Sequence, residues 1–449
     1  MVSINQSMRM VKEDLADLLE AESIFEICRE AGHRWRRCVL NPAVLIHVFA
    51  MQILCCNTAC THLRILSGLS FTASAYCQAR KRLPLKVIQM LVRRIGNRAS
   101  TTCNEHALWH NRRVWRVDGS SVSMPDTAEL QKHFGQPSGQ APGCGFPVAS
   151  TLSQIHAGTG FLMGMLARPL RTHEMSGAID LHEQLRPRDV IVADRGFCSY
   201  AHLCLVVQGT MDAVFRIHHR IIVNFHPRRR SRMQLPRSKR TGRPMSRYVR
   251  RLGRNDQVVE YVKPEKKPEW MSPEQYEQLP DSLTVRELRY EVRKRGCRVR
   301  QVTLVTTLLD PQEYPAEELA KLYGERWQIE VDFRHLKTTM RMEVLHCKTV
   351  EGVLKEMWMY MLVYNLVRQV MLAAAEHQET APDRISFIDA LRWLRCAKLG
   401  EALPDLVENP VRPWRIDPRV IKRRMKEYRL MTRPRQELRE ALLNTQLSA

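Results

Sequence analysis

Acidic residues are scarce in this sequence: 47 Asp and Glu stand against 70 Lys and Arg in 449 residues, a formal net charge of +23. Such an imbalance points to a polyanionic partner, either nucleic acid or an anionic membrane surface. Long hydrophobic runs are missing as well. The longest, residues 40–56, carries Asn41, Pro42, His47 and Gln52 and falls short of the ~20 apolar residues that a spanning helix needs. There is no aromatic-rich amphipathic anchor, so a membrane-surface protein ranks last. No secretory leader is expected, because Asn5, Arg9, Lys12, Glu13 and Asp14 break any apolar run near the start. A cytoplasmic, nucleoid-associated protein is expected. The thirteen cysteines form no C-x-x-C pair, which disfavours a zinc site. The densest group, Cys55, Cys56, Cys60 and His62, reads as apolar thiols on a buried helix. No Gly-rich loop ending in Lys-Ser/Thr is found, so no ATP dependence is expected.

What is present is enough apolar content, 44%, to build real cores, and enough length for two or three domains. Residues 1–105 read as a helical DNA-binding domain. Within them Arg80, Lys81, Arg82, Arg93 and Arg94 flank apolar positions, so this region suits a phosphate backbone. The texture then becomes α/β. Residues 114–117 (VWRV) read as a short strand ended by Asp118-Gly119. Residues 148–156 and 161–166 read as strands joined by a turn at 157–160 (AGTG), 190–193 (VIVA) as a buried strand, and 213–217 as another. Residues 106–218 and 301–378 are expected to form the two parts of one mixed-sheet core. Between them, 219–300 reads as a basic, β-rich insertion. Its residues 228–254 hold twelve Lys or Arg and no acid, read as a loop over a DNA groove. Residues 379–449 read as a helical, basic C-terminal region, with RVIKRRMKEYR at 419–429.

Two acids sit where strands of such a sheet end, Asp118 after VWRV and Asp194 after VIVA, the edge at which open α/β sheets bind ligands. Asp189 begins its strand and belongs at the opposite edge. A long helix at 315–342 adds a third acid. At ~100° per residue, Leu322, Ile329, Phe333, Leu336 and Met340 form an apolar stripe, with Tyr323, Arg326, Glu330 and Lys337 on a second stripe beside it. Glu325 and Asp332 project on the other flank. The plain alternative is an Arg326–Glu330 ion pair on a solvated face, which leaves Tyr323 and Lys337 in that stripe unexplained. Three carboxylates from separate elements can hold two hard cations such as Mg²⁺, and two such ions suit phosphodiester chemistry. Arg326 and Lys337 would orient phosphates, and Tyr323 would hydrogen-bond or stack.

Tyr323, Arg326, Glu330 and Lys337 reproduce the Y-(2)-R-(3)-E-(6)-K signature of the IS-four family of insertion-sequence transposases, and the sequence resembles that family over nearly its whole length. VDGSSVSMPDT around Asp118, ADRGF around Asp194, LYGERWQIEVDFRHLK around Glu330 and YNLVR at 364–368 are all similar. The resemblance implies an RNase-H-like core with a DDE triad, which maps onto Asp118, Asp194 and Glu330 as catalytic and metal-binding residues. It implies Mg²⁺, replaceable by Mn²⁺, and a homodimer on paired DNA ends. Its double-stranded DNA partners are terminal inverted repeats and target DNA, processed by cut-and-paste. Family members fill the 135-residue gap between Asp194 and Glu330 with a mostly β insertion, which agrees with the segment 219–300. Some members stack a Trp of that insertion on a flipped base; Trp270 is the only Trp there. Trp327 also matches a family position. Two other readings share these residues: a domesticated, non-catalytic DNA-binding regulator, and a metal-dependent endonuclease that cuts without joining.

Overall fold

A nine-stranded sheet, in the order β3-β2-β1-β4-β5-β9-β8-β7-β6, runs through the computed structural model. The structure describes residues 4–101, 107–172, 174–235, 242–292, 300–397, 402–410, 431 and 433–447; the basic segment 419–429 lies outside them. The first half comprises β1 (Val114–Ser123), β2 (Val148–His156), β3 (Leu162–Pro169), β4 (Val190–Ala193) and β5 (Asp212–Arg216). β1, β2 and β3 are antiparallel neighbours, whereas β1, β4 and β5 run parallel. That order and direction make the RNase-H-like core. VIVA is apolar throughout because both faces of β4 are covered. Val190 and Val192 pack on Leu319 and Leu322, and Ile191 and Ala193 pack on the side of Leu203 and Val206.

β1 is longer than the sequence predicts. Asp118-Gly119 is not a turn, because Asp118 pairs with Ser153 and the ladder to β2 continues to Ser123. Only the parallel pairing with β4 stops, at Val117 opposite Ala193. The insertion also differs from an independent subdomain. β6 (Arg247–Gly253), β7 (Asp256–Val262), β8 (Ser282–Val292) and β9 (Arg300–Thr306) continue the same sheet, with β9 antiparallel to β5. The basic run is not all loop either: Arg247, Arg250 and Arg251 lie on edge strand β6. Charge there discourages edge-to-edge pairing.

The helix Val350–His377 is buried along most of its length. Helices Pro42–Leu54 and Leu85–Thr101 and strand β3 pack around it. Its ties span the chain. Asn57 donates to Glu356 at 2.6 Å. Asn365 accepts from the Leu162 amide and donates to the Leu162 carbonyl, both at 2.9 Å. The cysteine trio sits at the end of Pro42–Leu54 rather than along it: Cys55 caps that helix, and Cys56 has a φ of 59°. No helix among the described residues is long and apolar enough to cross a membrane.

Replacing Asn365 by Leu should leave the Leu162 N–H and C=O buried and bare, at about 1–3 kcal/mol each. A urea melt should show the loss as a lowered midpoint; an unchanged midpoint would mean that the clamp contributes nothing.

Candidate active site

Parallel pairing of β1 with β4 places Asp118 and Asp194 side by side, each one residue past the last parallel pair. Asp118 is in mid-strand; Asp194 leads into the short turn Arg195–Phe197. The third element arrives from across the sheet. The predicted helix exists in pieces: Ala316–Gly324, a tight turn Glu325–Trp327, Gln328–Arg334, then a wide π turn His335–Thr339. Its apolar stripe is as expected, with Leu322, Ile329, Leu336 and Met340 buried and Phe333 partly so.

The polar stripe makes the site. The Tyr323 hydroxyl donates to Asp194 Oδ1 at 3.1 Å. Arg326 Nη1 donates to Asp118 Oδ2 at 2.8 Å, and its Nη2 lies 3.7 Å from Glu330 Oε1. Asp118 Oδ1 accepts from the Gly119 amide at 2.8 Å. The Arg326–Glu330 pair therefore exists, but as part of a cluster that includes both aspartates. Burial raises the pKa of Asp118, and Asp194 adds to the rise, against lowering by the Gly119 amide and Arg326. Glu330 is raised by burial and by Asp118 and Asp194, with Arg326 opposing. Asp194 and Asp118 thus weaken Glu330 as an acid, as expected for like charges that share a site.

Lys337 does not join the cluster. It lies in the π turn, where each residue advances the helix by less than in an α-turn, so the α-helical stripe does not extend to it. Trp270 is also elsewhere: it leans on the core beside the helix Tyr200–Gln208 and lines a cavity of about 390 Å³ with Tyr200, Lys266 and Tyr276. Trp327 is 64% exposed beside Arg326. Asp189 is at the opposite edge, gripped by Arg113 at 2.8 and 2.6 Å.

Sequence reading missed what lies behind Glu330. Asp332, two residues on, is fully buried. Its carboxylate faces the Tyr364 hydroxyl, and Arg116 Nη1 and His335 Nδ1 are buried without a hydrogen-bond partner among the described residues. Burial pushes Asp332 up to about 6, while the nearby Arg368 charge pulls it down. Arg368 is anchored on the Thr159 carbonyl at 3.1 and 2.9 Å and on Asp383 at 3.0 Å. Gly160 allows this approach, since a Cβ there would stand 2.1 Å from the Arg368 guanidinium. The motif YNLVR thus serves the interior: Tyr364 and Arg368 back the acid-bearing helix, and Asn365 holds β3. The available signal was the i, i+4 spacing of Tyr364 and Arg368 within an apolar helix.

The chain is similar to known proteins. The sequence model of the transposase DDE domain family matches residues 109–366. The transposase InsG of insertion sequence element IS4 from Escherichia coli (strain K12) is 26% identical over 378 residues, covering 79% of this chain and 77% of that protein. The piggyBac transposase, in a synaptic complex with hairpin DNA, aligns with a TM-score of 0.43 and 11% identity over 88% of this chain and 80% of that one. The family match spans both aspartates, Glu330 and the strands that carry the aspartates, and the chain belongs to the transposase DDE domain family.

Proposed function

We propose that this transposase binds the terminal inverted repeats of its own element, cleaves phosphodiester bonds there and joins the 3′-hydroxyl ends to target DNA. One observation carries this reading: Asp118, Asp194 and Glu330 reach a common cluster from two strands and a helix, with Arg326 and Tyr323 bonded among them. A pure DNA binder has no use for acids held against their own repulsion.

Among the described residues no three acidic, His or Cys groups converge as a ready metal cage. The donor set nevertheless fits a divalent ion, being three hard oxygen ligands, two of them weakened as acids by burial. Asp118, Asp194 and Glu330 would hold Mg²⁺, or Mn²⁺ in its place, as two ions. When bound, such ions activate a water or 3′-hydroxyl and stabilise the leaving oxygen. The protein's own part is positional. Tyr323 fixes the Asp194 carboxylate through its hydroxyl. Arg326 orients Asp118 and is placed to exchange a carboxylate partner for a phosphate oxygen. Lys337 and Trp270 would meet DNA outside the carboxylate cluster.

In this reading residues 1–105 bind DNA, 106–218 and 301–378 form the catalytic core, 219–300 form the basic insertion and 379–449 the C-terminal region. The protein acts as a homodimer on paired ends, on double-stranded DNA in the cytoplasm.

Two outcomes follow. Glu330→Gln, Asp118→Asn and Asp194→Asn should each lower metal-dependent cutting of labelled flanking DNA by roughly 10³-fold or more, with DNA binding kept. Binding without cutting by the unmodified protein, in Mg²⁺ and in Mn²⁺, would favour the regulator reading. Cutting without joined products would favour the endonuclease. Arg326→Ala should lower the cleavage rate about 10²–10³-fold, the typical loss for one preorganised donor; a single-turnover rate equal to wild type would remove Arg326 from the mechanism.

A further inference from the structure

The basic residues read from the sequence as a DNA-facing set do not all face outward. Arg80 is committed to the interior: its guanidinium covers the Phe49 ring at 3.7 Å and donates to Gln52 at 3.2 Å and to Cys347 at 2.9 Å. Arg94 is spent on Glu30 and Glu26. Arg82 of that set stays free, at a cleft of about 670 Å³ between residues 33–38 and the end of the helix Ala73–Arg82. Arg34, Arg36, Arg37 and Arg82 line it, all four exposed. No acidic residue among the described residues lines it. None of the four arginines has an ion pair or a side-chain hydrogen bond among the described residues.

The loop that carries three of them is built rigidly. The helix Ala21–Glu30 ends in a Schellman turn: Gly32, at φ 72°, donates to the Arg29 carbonyl at 2.9 Å, and His33 to the Cys28 carbonyl at 2.8 Å. Trp35 then stacks on Phe25 with ring centroids 5.1 Å apart. This anchor faces inward and leaves the flanking arginines outside. The opposite wall is held too, since Lys355 Nζ donates to the Arg80 and Lys81 carbonyls, each at 3.0 Å. A cleft with fixed walls and guanidinium rims meets phosphates without first having to order itself.

We propose that this cleft clamps the phosphate backbone of duplex DNA, with Arg34, Arg36, Arg37 and Arg82 as its contacts. The proposal rests on the transposase reading but concerns a surface distinct from the carboxylate cluster. Contacts of this kind give affinity without base discrimination and make binding salt-dependent.

The test is a salt titration of binding by the full-length protein, using one duplex from the element's end and one of scrambled sequence. In the variant R34Q/R36Q/R37Q/R82Q the slope of log affinity against log salt should become shallower by roughly 3–4 units. Affinity for both duplexes should fall together, so that their ratio holds. The fourfold Arg→Lys variant keeps the charge and should keep most of the slope, which separates clamping from misfolding. R186Q/R188Q, at the far edge of the sheet before β4, should leave the slope as in the unmodified protein. A wild-type slope in the fourfold Gln variant, a collapsed ratio, or an equal loss per charge in the far-edge variant would each overturn the clamp while the transposase reading stands. An unmodified protein that neither binds nor cuts either duplex would overturn both.

Discussion

Like charges brought together must be held, and the centre of this molecule is a device for holding them. Burial raises the pKa of Asp118 and Glu330, and the neighbouring carboxylates raise it further. The Arg326 guanidinium offsets part of this by lying against Asp118 and near Glu330. The backbone sets the remaining distances. The parallel β1–β4 pairing fixes the two aspartates; the helix Ala316–Gly324 packs across β4 and β5, and Gln328–Arg334, which follows it against β1, delivers the third acid. On its other face that helix buries Asp332 near the Arg368 charge, while Arg368 itself is anchored on Thr159 and Asp383.

Much of this was legible from residues alone. VIVA followed by Asp194 reads as a buried strand because the run is short, rich in β-branched residues and ended by Asp-Arg-Gly. The stripe of Tyr323, Arg326 and Glu330 follows from helical periodicity, and Asp118, like Asp194, from its place after a short apolar strand. Lys337 escaped because periodicity assumes an unbroken α-helix, while a π turn intervenes. The full length of β1 escaped because Asp-Gly is ordinary turn chemistry, and only the partner strand shows that the ladder continues. Asp332 and Arg368 were illegible for a different reason. Both sit far apart in sequence and become neighbours only when the helix Val350–His377 is in place.

The insertion illustrates the limit of compositional reading. Its arginine density suggests a loop, yet the strands that follow alternate well enough to extend an existing sheet. Pairing of β5 with β9 makes that extension continuous, so the sheet passes from catalytic core to insertion without a joint. Arg286, fully buried, donates to both oxygens of Asp256 and to the Tyr314 carbonyl, which ties the insertion's middle strands to the segment leading into the acid-bearing helix.

The central helix also sets an order of events during synthesis. Residues 350–377 form the surface on which the N-terminal helices bury their apolar sides, and the bond from Asn57 to Glu356 spans 299 positions. A ribosome has therefore made three quarters of the chain before its first quarter can finish folding. Until then the N-terminal helices lack their largest packing partner, and a product that stops before residue 350 leaves their apolar faces bare.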